Sequence, residues 1–262
     1  MKVIQITDIH LVPDGNLLFG EDSVTRFRHC IAHVNEHHPD ADLCVITGDL
    51  THDGDEASYR ILAGCLKELK LPVRLLLGNH DERPVFRSVF PAIPVDEHGF
   101  IQGVHDAGDT RLVFLDTKEA GTHEGRLCAD RLAWLDRTLA EAGERAVYLF
   151  SHHPPFELDL PSMDWIRLRE EADLRALVKK HGNVRYMFSG HVHRPSGGTW
   201  YGTPFATVPG TNHQHALDFT LTGPATTSME PPAYAVLSLR DAGVVVHYHA
   251  FMDRSQQFPY YG

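Results

Sequence analysis

The chain has 262 residues, of which 42% are hydrophobic and 23% charged, enough to bury the core of one large α/β domain and not the composition of a disordered protein. Its 24 basic and 35 acidic residues give a net charge of −11, and no stretch gathers Lys and Arg, which argues against long nucleic acid as a partner. The N-terminus lacks an apolar leader and no window approaches 18 uninterrupted apolar residues, so we expect a cytoplasmic protein with no membrane partner.

Five short apolar runs rich in Val, Ile and Leu end abruptly in polar residues and predict buried strands. In chain order these runs are 2–7, 42–47, 73–77, 146–150 and 184–188. Helical patterns lie between them, with apolar residues spaced i, i+3 and i+4 at 24–34 and 132–139. Repeated alternation of strand and helix is typical of an α/β layered fold.

The alternation weakens after residue 195, where Gly, Pro, Thr and His dominate and predict loop, a short hairpin and a small cap. Two later runs, 233–240 and 243–251, predict a β-hairpin that completes a second sheet. The aromatic C-terminal tail offers a contact for another subunit, so a homo-oligomer stays open. The predicted division is a core of 1–195 and 234–250, with a cap or loop and a tail at 196–233 and 251–262.

Carboxylate, amide or imidazole side chains follow each of the five predicted strands at once. They are Asp8 and His10, Asp49, Asn79 with His80 and Asp81, His152 with His153, and His191 with His193. Because ligands bind at the carboxyl ends of strands in α/β sheets, we expect these groups at one rim. Nitrogen and oxygen donors without thiolate suit Zn, Mn, Fe or Co, and the imidazole content is too high for calcium. Even seven of these side chains would be too many ligands for one ion, so we predict two divalent ions that share one carboxylate.

The ordered segments TDIH, GDLT, GNHD, SHHP and GHVH resemble the five-block signature of calcineurin-like metallophosphoesterases. The resemblance spans residues 3–193 and implies a four-layer αββα sandwich with a dimetal site at one end. It assigns one ion to Asp8, His10 and His193, the other to Asn79, His152 and His191, and the bridging position to Asp49. It also implies that His80 is a catalytic imidazole that binds no metal. We expect Asp81 and His153 to support the ligands.

Two shorter segments, GNLLFG and PGTNHQ, are similar to those of the bacterial group that contains class III cyclic-nucleotide phosphodiesterases and related glycerophosphodiesterases. This resemblance implies hydrolysis of a small phosphodiester, such as 3′,5′-cyclic AMP or a glycerophosphodiester, by in-line attack of a metal-bound hydroxide. It also brings His213, Asn212 and Phe19 near the substrate. A site charge of about +1, left by two divalent ions, two carboxylates and one hydroxide, matches a monoanionic diester.

Two alternatives stay open. A phosphomonoesterase or nucleotidase of the same fold would share the metal-binding segments. A metal-binding interaction scaffold without activity is expected to have broken ligands or to lack the catalytic histidine, and this sequence shows neither. Six histidines lie in helix ends, loops or a strand without a ligand-like context and are predicted to be exposed or structural: His37, His38, His105, His123, His181 and His247.

Overall fold

The computed structural model describes residues 1–255 and 258, so the predicted tail at 251–262 lies partly outside the described residues. The strands are β1 (Lys2–Ile6), β2 (Leu43–Ile46), β3 (Val73–Leu75), β4 (Gly103–Ala107), β5 (Thr110–Phe114), β6 (Ala146–Phe150), β7 (Val184–Ser189), β8 (Ser196–Trp200), β9 (Thr203–Thr207), β10 (Gln214–His215), β11 (Thr227–Ser228), β12 (Tyr234–Arg240) and β13 (Gly243–His249). The helices are α1 (Ser23–His37), α2 (Glu56–Leu66), α3 (Arg83–Val89), α4 (Ala129–Ala142), α5 (Pro161–Asp164) and α6 (Glu171–His181).

The first sheet has the strand order β13-β12-β1-β2-β3, in which β1, β2 and β3 are parallel. The hairpin predicted near the C-terminus forms as β12 and β13, but it pairs antiparallel with β1. The expectation that it completes a second sheet is therefore wrong. The register beside β1 places Leu237 next to Val3, and both side chains are buried in the core between the two sheets.

The second sheet has the order β4-β5-β6-β7-β9-β8, with β5, β6, β7 and β9 parallel. Residues 196–207, expected in a loop or cap, form β8 and β9 at one edge of this sheet. The sequence did not predict these strands because they contain Gly197, Gly198 and Pro204, and Gly and Pro are uncommon inside strands. Both residue types are tolerated near a sheet edge. Residues 208–233 lie outside both large sheets, and β10 and β11 pair there as a small ribbon.

Three hydrophobic cores separate four layers. Ile4 and Ile6 of β1 face α1, α2 and α3 in the first core, whereas Val3 points to the opposite face, towards Phe150 and other residues of the second sheet. Helices α4 and α6 cover the outer face of the second sheet with a core that includes Leu135 and Val178. The α/β class and the four-layer αββα sandwich are confirmed.

The parallel strands carry the site. β1, β2 and β3 of the first sheet and β6 and β7 of the second all end near one rim, where the loops that follow them meet. Backbone hydrogen bonds join these loops, as when Asp8 N donates to Gly48 O at 3.1 Å. Among the described residues, no helix has both the length and the apolar character needed to cross a bilayer.

Candidate metal centre and active site

All seven predicted metal ligands are buried and lie at this rim. The first group is Asp8, His10, Asp49 and His193, whose donor atoms lie within 4.8 Å of one another. His10 Nε2 lies 3.1 Å from His193 Nε2 and 3.5 Å from Asp49 Oδ2. His193 Nε2 lies 3.3 Å from Asp8 Oδ1. This spacing suits ligands that share one cation.

The second group contains Asp49, Asn79, His152 and His191. His152 Nε2 lies 3.4 Å from Asp49 Oδ2, 3.1 Å from Asn79 Oδ1 and 3.2 Å from His191 Nδ1. The same Asp49 oxygen therefore faces both groups. A carboxylate in this position can contact two ions at once.

Backbone carbonyls fix the tautomers of two of these imidazoles. His152 Nδ1 donates to Thr47 O at 2.8 Å, and His193 Nδ1 donates to His213 O at 2.8 Å. Because a carbonyl can only accept, the proton of each neutral ring lies on Nδ1 and the Nε2 lone pair faces the site. Asn79 Nδ2 donates to His123 Nδ1 at 2.8 Å, which turns the amide oxygen of Asn79 towards His152.

One buried atom at the site is suited to a cation. Asp8 Oδ1, a carboxylate oxygen of the first group, is buried and has no hydrogen-bond partner among the described residues. Burial raises the pKa of Asp8, but the neighbouring His193 outweighs burial and holds that pKa below its usual range, so this oxygen carries negative charge. An unpaired buried acceptor costs about 1–3 kcal/mol, and a bound cation removes that cost.

Asp81 ties two of the loops together. Its carboxylate accepts hydrogen bonds from Gly78 N at 2.8 Å, Leu50 N at 3.1 Å and the Tyr59 hydroxyl at 3.0 Å. These bonds join the loop that carries Asp49 to the loop that carries Asn79. The supporting position expected of Asp81 agrees with these contacts.

His80 lies beside the metal groups. Its backbone N–H donates to Asp49 Oδ1 at 2.9 Å, and its Nδ1 donates to His52 O at 2.7 Å. The second bond fixes a proton on Nδ1 and leaves Nε2 free to face the open cleft. The cleft has a volume of about 200 Å³. It is lined by the candidate metal-centre and neighbouring residues Asp49, Asn79, His80, His123, His191 and His193, and by Ser162, Met163, Trp165, Ile166, Pro224 and Ala225.

The predicted substrate residues lie at the edge of the first metal group. The His213 ring lies 4.5 Å from that of His193 and 4.6 Å from that of Phe19. Phe19 is half exposed, whereas Asn212 is buried and its carbonyl accepts a hydrogen bond from Arg26. The structure thus brings His213 and Phe19 together, and Asn212 anchors the loop that holds His213.

Two histidines of the site were not predicted. The His52 ring stacks on His80 at 5.0 Å, and its Nδ1 lies 3.4 Å from His10 Nδ1. His52 follows Asp49 by three residues, so the GDLT segment could have drawn attention to it. His123, which contacts Asn79, was predicted to be exposed or structural, because it lies in a long loop with no strand before it.

Comparison with known proteins identifies the family. The model of the calcineurin-like phosphoesterase family matches residues 1–195, which contain all of the predicted ligands and His80. The chain belongs to the calcineurin-like phosphoesterase family. It is therefore a hydrolase of phosphate esters. The family implies divalent metals, and the structure has a cluster of His and Asp side chains whose spacing could hold them. The resemblance inferred from the sequence and the enzyme class are confirmed.

Relatives and a solved structure extend this match over nearly the whole chain. A protein of Rhodopseudomonas palustris named as a probable cyclic nucleotide phosphodiesterase is 41% identical over 255 residues, covering 96% of this chain and 93% of the relative. One of Arcobacter nitrofigilis named as a probable glycerophosphodiester phosphodiesterase is 29% identical, covering 100% and 97%. A dimetal phosphatase from Danio rerio superposes with a TM-score of 0.71 at 18% identity over 97% of each chain, which shows a shared fold.

The ligand loops of this calcineurin-like phosphoesterase have an unusual backbone. Asp8, His10, Asp49, His191 and His193 have positive φ angles, at 52°, 49°, 48°, 69° and 49°. The left-handed region is costly for residues with a Cβ atom, by about 1–2 kcal/mol each and somewhat less for Asp. Such strain persists only where the surrounding structure holds it, and it concentrates at functional sites.

Electrostatics favour the charged form of two of the imidazoles. Burial opposes charge on His152, but the Asp49 carboxylate outweighs it and raises the pKa of His152 to about 9. Burial also opposes charge on His193, and Asp8 raises its pKa above the ordinary value. The imidazoles in turn, His152 foremost, hold the pKa of Asp49 well below its usual range despite its burial.

These shifts predict that metal affinity rises with pH. Because the raised pKa keeps His152 protonated at neutral pH, a metal must displace its proton to bind. We expect the apparent affinity to rise about tenfold per pH unit for each proton released, between about pH 6 and pH 8. Competition with a chromophoric chelator measures the affinity, and calorimetry in two buffers of different ionisation enthalpy counts the protons. An affinity that stays constant over this range would contradict the charge assignment.

A substitution at Gly190 should weaken metal binding, because the backbone there packs tightly against the loop that follows β1 and carries Asp8. A Cβ atom on Gly190 would lie 2.0 Å from Thr7 Oγ1 and 2.9 Å from Asp8 Oδ2. We expect Gly190→Ala to displace Asp8, to weaken metal binding by about 10-fold to 100-fold and to destabilise the metal-free protein by about 1–3 kcal/mol. Chelator competition and urea unfolding measure these two quantities.

Gly64→Ala is the matched control, since a Cβ atom at this position of α2 meets no atom within 4 Å. It should leave metal affinity unchanged and raise stability slightly, because Ala is favoured over Gly inside a helix. Equal metal affinity in the Gly190→Ala variant and the native protein would show that Asp8 does not require this close packing.

Proposed function

We propose that this calcineurin-like phosphoesterase is a dimetal phosphodiesterase acting on small monoanionic diesters, either a 3′,5′-cyclic nucleotide such as cyclic AMP or a glycerophosphodiester. The observation that carries the proposal is the position of one Asp49 oxygen, 3.5 Å from His10 Nε2 and 3.4 Å from His152 Nε2. This geometry supports two cations that share a carboxylate at the floor of an open cleft.

In this proposal each residue has one role at the centre. Asp8, His10 and His193 would hold one ion, Asn79, His152 and His191 would hold the other, and Asp49 would serve both. When bound, the ions supply Lewis-acid stabilisation of phosphate oxygens and make a water nucleophilic at neutral pH. The mixed nitrogen and oxygen donors suit Mn, Fe, Zn or Co, and metal supply selects among them.

His80 acts on the leaving group. Since His52 O accepts from Nδ1, the other nitrogen of His80 is free to meet the substrate at the cleft. In its charged form His80 can donate a proton from Nε2 to the departing alkoxide, and the ring keeps its orientation throughout. This is general acid catalysis by a group held through its opposite nitrogen.

The lining of the cleft favours a diester over a monoester. Of the described residues that line it, none is Lys or Arg. A phosphate monoester carries two negative charges at neutral pH and is usually held by Arg in a bidentate pair. Leu77 occupies the position before GNHD where protein phosphatases resembling this chain would have Arg. The names of the relatives, cyclic nucleotide and glycerophosphodiester phosphodiesterases, also support a diester.

Reconstitution tests the proposal directly. Metal-free protein would be loaded separately with Mn, Zn, Fe or Co and assayed with bis(4-nitrophenyl) phosphate and 4-nitrophenyl phosphate, then with cyclic AMP and a glycerophosphodiester. We expect at least one loaded form to prefer the diester by about tenfold or more, a difference of about 1.4 kcal/mol in the barrier. A preference for the monoester would favour the phosphomonoesterase alternative. Full metal loading without turnover of any ester would favour the interaction scaffold.

A further inference from the structure

Trp165 exposes an aromatic surface in the active-site cleft. It lines the cleft together with Asp49 and His80, and it is 51% exposed. The Trp165 Nε1–H donates to Ser162 O at 2.9 Å, so the one polar group of the indole is already paired. What the side chain offers to a ligand is therefore the π surface of its ring.

Hydrogen bonds fix the segment that carries Trp165. The Asp164 carboxylate accepts from Leu158 N at 2.8 Å and from Leu160 N at 2.9 Å, which closes the chain around α5. On the other side, Trp165 O accepts from Arg169 Nη2 at 3.2 Å. Together with the bond from Nε1, these contacts hold the indole in one orientation, so little rotational freedom is lost when a ligand covers it.

A small hydrophobic cluster joins this segment to the loop that follows β7. The cluster consists of Leu160, Met163, Ile166 and Val192, all of which are buried. Val192 lies between His191 and His193, two of the proposed metal ligands. Because Trp165 directly precedes Ile166 in the chain, this packing fixes the position of the indole relative to the candidate metal centre.

The rest of the cleft lining offers few hydrogen bonds. Besides Trp165 and the acid, amide and imidazole side chains, the residues that line the cleft are Ser162, Met163, Ile166, Pro224 and Ala225. Ser162 has the one hydroxyl among these five side chains, and none of them is charged. The hydroxyls of a glycerol group would lose water here and find few partners. A nucleobase, in contrast, has a flat π face that can stack on an indole.

We propose that Trp165 is a specificity-determining residue, whose indole stacks on the base of a nucleotide while the phosphate occupies the candidate metal centre. This inference rests on the proposed phosphodiesterase function and narrows its substrates to 3′,5′-cyclic nucleotides in preference to glycerophosphodiesters. Trp165 touches the base and moves no proton. Its loss should therefore weaken substrate binding and leave the chemical step unchanged.

Binding of two phosphate monoesters tests this role without any turnover. Adenosine 5′-monophosphate and glycerol 3-phosphate carry the same phosphate group, and only the first has a base. In calorimetry with Mn²⁺-loaded protein, Trp165→Ala should weaken binding of the nucleotide about tenfold, within the range of one lost stacking contact, and leave glycerol 3-phosphate binding unchanged. Trp165→Phe keeps a π face and should restore most of the affinity.

Kinetics with two diesters give the second readout. In Trp165→Ala the KM for cyclic AMP should rise about tenfold at unchanged kcat, whereas both constants for glycerophosphoethanolamine should stay as in the native protein. Tyr201→Ala is the matched control, because Tyr201 is an exposed aromatic residue between β8 and β9 that does not line the cleft. It should change neither the binding nor the kinetic constants.

Three results would overturn the role of Trp165. They are native binding of adenosine 5′-monophosphate by Trp165→Ala, an equal loss of affinity for both monoesters, and a native protein that binds glycerol 3-phosphate as tightly as the nucleotide. If Trp165→Ala does not fold by circular dichroism, Trp165→Leu replaces it, since Leu keeps apolar bulk and lacks the ring. Absence of diester hydrolysis by the native protein would refute the proposed function instead, and the two monoesters would still decide whether the indole selects a base.

Discussion

Replacing His80 by Ala should lower phosphodiester turnover by about 10²-fold or more, the size of a lost general acid, while both metal ions stay bound. The physical reason is that His80 contacts Asp49 only through its backbone N–H, at 2.9 Å, and this bond survives the substitution. The imidazole itself is held by His52 O and lines the cleft. This variant should therefore lose activity while its metal content stays unchanged.

The measurement pairs steady-state kinetics with elemental analysis of the same samples. His29→Ala is the control, since His29 is an exposed histidine of α1 outside the cleft, and it should keep full activity. A substrate with a better leaving group should narrow the deficit of His80→Ala, because a weakly basic alkoxide needs less protonation. Loss of both ions from His80→Ala would instead identify His80 as a ligand.

Asp49→Ala should empty at least one metal position and lower turnover at least as far as His80→Ala. The substitution removes the oxygen that faces both His10 and His152, and it removes the acceptor of the His80 backbone N–H. It also leaves the charged form of His152 without its main partner, so the pKa of His152 should fall towards its ordinary value. The loss of one carboxylate thus affects both metal groups together.

Metal content per chain and diester turnover measure this effect. Asp53→Ala is the matched control, because Asp53 is an exposed carboxylate in the same loop. Its metal content should equal that of the native protein. A fully loaded and active Asp49→Ala variant would contradict the bridging role and, with it, the shared carboxylate of the proposed centre.

The ends of the strands explain how much of the site could be predicted from the sequence. Buried parallel strands read as continuous apolar runs, so the polar residues that end them, such as Asp8 and Asp49, are conspicuous in the sequence. The architecture then collects those ends at one rim, and the predicted ligands lie together there. Their roles as ligands, and that of His80 as proton donor, remain predictions.

Contacts between segments far apart in the chain could not be predicted from the sequence. Nothing near His123 indicates that its loop folds back to Asn79, because that contact depends on how two sheets pack. The position of the C-terminal hairpin could not be predicted either, because its alternating apolar pattern fits either sheet. Only its pairing with β1 assigns it to the first sheet. His38 and His249 are separated by 211 residues, so their contact has no local signal. The division into core and cap, the cytoplasmic location, the oligomeric state and the exclusion of nucleic acid and membrane partners also remain predictions.

The left-handed backbone lowers the stability of the fold at five proposed ligands, Asp8, His10, Asp49, His191 and His193. Substitutions at these positions that raise thermal stability should therefore lower hydrolysis. Glycine at these positions would relax the chain, so screening a mutant library for heat resistance alone should enrich variants that fold better and no longer bind metal. A lineage released from the need for catalysis would lose these side chains early, because each loss would make folding easier.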